Sequence, residues 1–507
     1  MKAFKCGLYQ VYGMTEIAGS FSVLPPVDHD PAGPRARRHP HVATHYRGFS
    51  FGATIKALRH YCQSAESAVP SFEFSAALNP AGWSKSQFSV RRVPMKNFQS
   101  ASNTRRSVLT AALSASATLM LPRMVAAQAL PGVSTTELRI GNTTSLSGPV
   151  SALGTIAKAQ GAVFKMVNEQ GGIAGRNIKF IIYDDGFSPP KTLEMARKLI
   201  EQDDVAFLFG NLGTGPNSAI VRYVNGLGVP HLFLSVNGDK WADTKTNPWS
   251  MPFAPSGRVE CQVAIKHAMQ IKPDTKFAIL YQNDDFGRDY IAGAKDVLGA
   301  KYDTLVKAVS YEVTDPTCDS QLIQLMGGNP DALISGVTGK FGAMAIRKAS
   351  ELGFKGVHYI ATGVTSVQGT IIPAGVERAV GVMSTAYAKD PSDPGLADDP
   401  SVKAYRAFMA KHYPEGNPDD FYNSYGYLTG SIMVQVLKQC NGDFSRKSIM
   451  AQANNLKGFE HGMLLPGIKV NTGPNDHRPL KQMQMQRWDG KRWTRFGSIF
   501  EGTNVQS

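Results

Sequence analysis

"IKFIIYDDGFSPPKTLEMARKLIEQDDVAFLFG", residues 178–210, decides the fold. Ile178 to Tyr183 is a β-type apolar run long enough to cross a buried sheet and too short for a helix. Two prolines at 189–190 open the next segment, where a first-turn proline costs no hydrogen bond, and "KTLEMARKLIEQDD" continues it with helical spacing. "VAFLFG" is then a second buried strand. Strand, helix and strand in about 30 residues make a βαβ unit, and so a parallel sheet covered on both faces.

The same rhythm extends outward in both directions. Upstream, "LRIGNTT" at 138–144 is a strand entering the loop "SLSGPVSALG"; Ile156, Ala159, Val163, Phe164 and Val167 then recur at helical spacing until Gly171-Gly172 stops the helix. Downstream, "VPHLFLS" is one more strand. The rhythm restarts after Pro255 with "FAILYQNDDFG", a strand running into an acidic loop, and helices are expected near 287–299, near Ser320 and over 340–352. Between and after these lie the strands "KAVSYE", "DALISG", "VHYIA" and "VGVMST". Residues 400–456 are mainly helical, and "MQMQRWDGKRWTRFG" at 483–497 is a closing hairpin turning at Asp489-Gly490. Two similar α/β halves with loops at strand C-termini imply a ligand cleft between them.

The N-terminal part has a different composition. "NTRRSVLTAALSASATLMLPRMVAAQA" at 103–129 has the layout of an export signal: Arg105-Arg106, an apolar run from Val108 to Leu121, and small residues at Ala127-Gln128-Ala129. The run is shorter than the roughly 20 residues a bilayer span needs, so a signal cleaved near Ala127 to Ala129 is expected. Both the twin-arginine and the general export route suit it. Met95 begins a chain of precursor type, "MKNFQSASNTRR", so residues 1–94 are expected to be either a non-native upstream stretch or a disordered basic extension. Of the formal charge of +14, only +4 falls on residues 130–507, and no basic stripe with interleaved aromatics marks a nucleic-acid surface. Cys261, Cys318 and Cys440 are widely spaced and give neither a disulfide framework nor a zinc or redox motif.

Enzyme signatures are missing: no dinucleotide fingerprint, P-loop, H-E-x-x-H or G-x-S-x-G is present. No nucleophile, metal or cofactor is therefore expected. Gly210-Asn211-Leu212-Gly213-Thr214-Gly215 leaves a strand and opens a helix, so its amides and the Thr214 hydroxyl are suited to a carboxylate; an ordinary βα turn has the same composition.

"LRIGNTTSLSGPVSALG", "VNEQGGIAGRNIKFIIYDD", "LYQNDDFGRDY", "VSYEVTDPTCDSQ" and "YGYLTGSIMVQVLKQC" occur in this order over about 137–500. Together they resemble the substrate-binding proteins of ABC importers in the branched-chain amino acid group. The resemblance implies a periplasmic binding protein type I fold: two Rossmann-like α/β lobes joined by a three-strand hinge, lobe 1 from 130–256 and 386–470, and lobe 2 from 257–385 and 471–507. It implies a periplasmic monomer that closes on one small ligand and delivers it to a membrane permease. Carried over by position, it puts ligand contacts at Leu212, Gly213 and Thr214 and in Ser235-Val236-Asn237, with a wall from Ser147 to Leu153. Phe286 matches an aromatic cleft position; Tyr422 and Tyr425 are either wall or helix-packing residues.

One departure bears on the ligand. Amino-acid binders of the group hold the ammonium with a carboxylate of the second lobe, yet neither "SGVTGKFGAM" (335–344) nor "YIATGVTSVQG" (359–369) has an Asp or Glu. An ammonium closed in without counter-charge costs several kcal/mol, enough to remove tight binding at about 1.4 kcal/mol per tenfold. A carboxylate without an amino group is expected. Lys340 stands where the first acid would be, either drawing a second acidic or phenolic group or lying exposed at a helix start. "GNLGT", "KWAD" and "YQNDDFG" are most similar to a branch linked with aromatic acids. An amino-acid carrier with Asp284 or Asp285 on the ammonium, and a ligand sensor of the same fold, are the alternatives.

Overall fold

The computed structural model describes residues 130–501, together with two short strands, Gln10–Tyr12 and Ser22–Leu24, that pair antiparallel. The chain divides into two compact units, Met1–Met120 and Leu121–Ser507, and everything below concerns the second. The expected export signal, and all of 1–94 except those two strands, lie outside the described residues.

The second unit contains two sheets. The first holds β1 (Glu137–Thr144), β2 (Asn177–Asp184), β3 (Phe207–Phe209), β4 (His231–Leu234) and β5 (Ser250–Pro252), in the order β2-β1-β3-β4-β5, all parallel. The second repeats that order with β6 (Phe277–Gln282), β7 (Val306–Tyr311), β8 (Ala332–Gly336), β9 (Val357–Ile360) and β10 (Met383–Ala386), as β7-β6-β8-β9-β10. An antiparallel pair, β11 (Gln482–Trp488) and β12 (Trp493–Glu501), extends the β10 edge. The expected hairpin is therefore present. Its turn is held by the Asp489 carboxylate, which accepts from the amides of Lys491 (2.8 Å) and Arg492 (2.9 Å).

Helices follow the expected rhythm: α1 (Thr155–Glu169), α2 (Pro189–Arg197), α3 (Thr214–Gly226), α4 (Gly257–Ile271), α5 (Asp285–Leu298), α6 (Asp319–Met326), α7 (Lys340–Glu351), α8 (Pro400–His412), α9 (Phe421–Gln439) and α10 (Arg446–Ala453). Their ends follow from side-chain chemistry. Asp284, Asp399, Asp420 and Ser445 each accept a first-turn amide of the helix that follows them.

Each sheet has its own core. One apolar cluster joins β1, β3, β4, α1, α8 and α9; another joins β6, β8, α5 and α7. α9 lies against α1 through glycine: a Cβ on Gly426 would stand 2.5 Å from the Ile156 carbonyl oxygen. A row of edge-to-face and tilted rings runs through the first core, from Phe164 to Phe209 (5.6 Å), Phe233 (6.5 Å), Phe253 (5.7 Å) and Tyr425 (5.8 Å). The chain passes between the cores three times: after β5, after β10, and before β11. The fold is thus two α/β lobes on parallel-dominated sheets. Cys261, Cys318 and Cys440 are buried free thiols.

Candidate functional site

In a sheet of order 2-1-3-4-5, the loops leaving the first and third strands diverge to opposite faces and open a crevice at the strand C-termini. Here the two crevices face each other across a cleft whose empty space, with the adjoining solvent included, is about 680 Å³. The β1 side contributes Leu153 from a short 3₁₀ turn and Ile156 from α1; the β3 loop contributes Leu212, Gly213 and Thr214. Ser235, Val236 and Asn237 come from the loop after β4. The opposite wall is Gln282 at the end of β6 and Phe286 beyond it, Thr338 after β8 and Gly363 after β9. Phe421, Tyr422 and Tyr425, on the first turns of α9, close one side with Tyr387 of the second crossing.

Leu153, Leu212, Gly213, Thr214, Ser235, Val236, Asn237, Phe286, Tyr422 and Tyr425 all line this cavity. Lys340 does not. Its ammonium donates to the carbonyls of Asp315 (3.0 Å) and Pro316 (3.1 Å), so the chain after β7 takes up the charge, and neither a ligand contact nor a free exposed helix start describes it. Neither of the two tyrosines serves packing alone, since each is buried and reaches the cavity.

The structure adds Phe187, Tyr387, Phe421, Gln282 and Thr338 to the wall. Phe187 had a signal in the sequence: "YDDGF" after β2 has the same form as "NDDFG" after β6, an aromatic in an acidic loop leaving a strand. Tyr387 and Phe421 had none, because a crossing segment and the start of a helix place their side chains only through lobe packing.

The cavity is mostly apolar and none of its lining side chains is charged. Its polar atoms are specific. The Gly213 amide is used, donating to the Ser235 carbonyl at 3.1 Å, and that of Leu212 donates to Thr143 at 3.1 Å. The next two amides, Thr214 and Gly215, belong to the first turn of α3, where the helix itself offers no acceptor. Ser235 Oγ is buried, with the Tyr425 hydroxyl as its polar neighbour. Two free helix amides, the positive end of a helix dipole and a hydroxyl together suit an anion. Burial pushes the phenols of Tyr387, Tyr422 and Tyr425 well above their ordinary range, so they are neutral donors.

Opposite α3 the polar groups are tied together. Gln282 Oε1 accepts from Tyr311 (3.0 Å) and from Thr338 (2.5 Å), while its Nε2 donates to Asp284 (2.7 Å). Behind the cavity, Glu260 accepts from Tyr290 (2.6 Å), the Thr362 amide (3.0 Å) and Asn237 (3.4 Å), and burial pushes its carboxyl up. The lobes touch directly as well: Tyr422 donates to the Gly363 carbonyl (3.1 Å), Ser366 to Asp420 (2.9 Å), and Lys240 to Asp285. Among the described residues, no group of three or more His, Cys, Asp or Glu side chains is placed to hold a metal.

Comparison with known proteins agrees with this geometry. The chain is 24% identical over 383 residues to a Leu/Ile/Val-binding protein homolog 7 of Brucella abortus, covering 73% of this chain and 93% of that one. Among solved structures, a branched-chain amino acid ABC transporter protein from Thermus thermophilus with bound valine superposes with a TM-score of 0.64 at 16% identity, over 73% of this chain and 97% of that one. A fatty acid ABC transporter substrate-binding protein from Thermomonospora curvata gives 0.60 at 20% identity, over 73% and 94%. The profile of the periplasmic binding protein family matches residues 137–492, spanning the first sheet, the second sheet as far as β11 and every loop of the cavity, and the chain belongs to that family.

Proposed function

We propose that this protein is the periplasmic, monomeric ligand-capturing subunit of an ABC importer, and that its ligand is a small monocarboxylate with an aromatic body. The observation that carries this reading is a cavity with anion-binding groups at α3 and no charged lining side chain. A buried ring offers 150–250 Å² of apolar surface, worth roughly 4–6 kcal/mol at about 25 cal/mol per Å². Charge-assisted hydrogen bonds from Thr214, Gly215 and Ser235 fix the carboxylate end. An amino-acid ligand requires an anion for its ammonium, and Asp285 is already engaged with Lys240, Arg288 and Ser218. The valine-bound Thermus protein keeps that second reading in the test. No bond is made or broken in either case; the work is closure and delivery.

The test is a thermal-shift series with benzoate, 4-hydroxybenzoate and coumarate against leucine and aliphatic acids. At 100 times its dissociation constant a ligand adds about 2.7 kcal/mol of stability. Stabilisation by aromatic acids alone supports the proposal, and stabilisation by leucine alone replaces it with amino-acid capture. Normal uptake in a deletion strain, with an altered gene response, would instead identify a sensor.

The contact between Lys240 and Asp285 gives a smaller expectation. Both side chains are exposed by more than a third, so solvent screens the pair. Lys240→Ala is expected to weaken the ligand found above by at most about fivefold, because exposed pairs contribute about 0–1 kcal/mol. Calorimetric titration at low and high salt checks this, and the difference should shrink with salt.

A further inference from the structure

Asp284 holds a position that the capture of an anion must disturb. It leaves β6 and caps α5, its Oδ1 accepting from the Gly287 amide at 3.2 Å and its Oδ2 from Gln282 at 2.7 Å. The same Oδ2 lies across the cleft against the first turn of α3, 3.5 Å from where a Cβ on Gly215 would stand. Gly215 is the second residue of that helix, and Thr214 beside it lines the cavity. On the other lobe, the flanking Gln282 and Phe286 also line it. A ligand carboxylate bound at α3 and the carboxylate of Asp284 therefore share one helix N-terminus.

The surrounding charges do not relieve that conflict. On its own helix, Asp285 is satisfied by Lys240, Ser218 and Arg288, and Asp289 accepts the Asp239 amide at 2.6 Å. From β7, Tyr311 reaches Gln282 and Glu312 accepts from Asn283; from β8, Thr338 is neutral. Lys340 of α7 is held by carbonyls. α3 brings Gly215 against Asp284 and the Ser218 hydroxyl against Asp285. Asp284 thus has only neutral donors, the Gln282 side chain and the amides that open α5, and no cation bonded to it.

We propose that carboxylate capture is coupled to proton uptake: when the anion binds at α3, Asp284 takes one proton from solvent and remains in place as a neutral hydrogen-bonding cap. The proposal rests on the carboxylate reading given above. Burial already pushes the Asp284 carboxyl up, and a second anion at the same N-terminus pushes it further. A group whose pKa rises on binding takes up protons, so affinity should fall as pH rises through the range where free Asp284 ionises. Gln282 and the Gly287 amide hold the side chain in position throughout.

The experiment is calorimetric titration of benzoate into the full chain, near neutral pH, in buffers of different ionisation enthalpy. The wild type should show buffer-dependent heat corresponding to uptake of up to one proton, according to how much of free Asp284 is ionised at that pH. Asp284→Asn should bind benzoate with heat independent of buffer and with affinity that no longer falls with pH. Asp284→Ser, which keeps a capping oxygen without the charge, covers failure of the first variant to fold. Asp289→Asn is the control, since burial pushes that carboxyl up to about 7, and it should leave the uptake intact. Benzoate binding without proton uptake, or uptake lost in Asp289→Asn and kept in Asp284→Asn, overturns the coupling and leaves the carboxylate reading standing. Leucine binding that Asp284→Asn abolishes, with no benzoate binding, makes Asp284 the ammonium acceptor and overturns both.

Discussion

Gly213→Ala is expected to lower ligand affinity by about 100-fold, equivalent to about 2.7 kcal/mol. Gly213 has φ of 91°, a backbone that side chains rarely adopt, and a Cβ there would lie 2.4 Å from Cε2 of Phe187 and 3.1 Å from Cδ of Pro216. Neither neighbour yields easily. Phe187 itself has φ of 62°, and its amide is fixed on Asp185 at 2.9 Å. Strained backbone of this kind costs about 1–3 kcal/mol. The loop can release that strain only by withdrawing Thr214 and Gly215, and with them the amides proposed to hold the ligand. Titration calorimetry of the ligand identified by thermal shift checks it, and an affinity within threefold of wild type would falsify the role given to this loop.

Phe253→Ala is expected to destabilise the protein by about 3–5 kcal/mol, the usual cost of emptying a buried phenylalanine site. Phe253 is fully buried at the first crossing between lobes and carries the ring row from Phe233 to Tyr425. Its removal leaves a void behind Tyr425, so ligand affinity should fall as well. Phe164→Ala empties a comparable site at the far end of the row, away from the cavity lining. It should cost similar stability and leave affinity unchanged. Denaturant unfolding together with calorimetry separates the two, and equal affinity losses in both variants would mean that the row does not position Tyr425.

The architecture was legible because the determinants of each element are local. The apolar runs at 178–183 and 277–282 are too short for helices and bounded by turn residues, so each becomes a strand with its loop at the crevice. The loop 210–215 was located for the same reason, whereas 235–237 was pointed to by the family resemblance. β5 was not: "SMP" has no strand signature, and its pairing depends on β4 lying beside it. The register shift between β4 and β5, with Phe233 at φ of 52°, was equally hidden.

What the sequence by itself determined is the alternation of strands and helices, the restart of that pattern after Pro255, and the strand-end loops that carry Thr214, Ser235 and Phe286. Tertiary structure alone decided where the charges and rings point. Lys340 turns to carbonyls 24 and 25 residues away, and Asp284 meets a helix of the opposite lobe. Phe187, Tyr387 and Phe421 converge from three separate segments. The physical reason is range: hydrophobic periodicity and turn chemistry act within a few residues, whereas the direction of a long side chain and the neighbours of a carboxylate depend on how the two lobes approach each other.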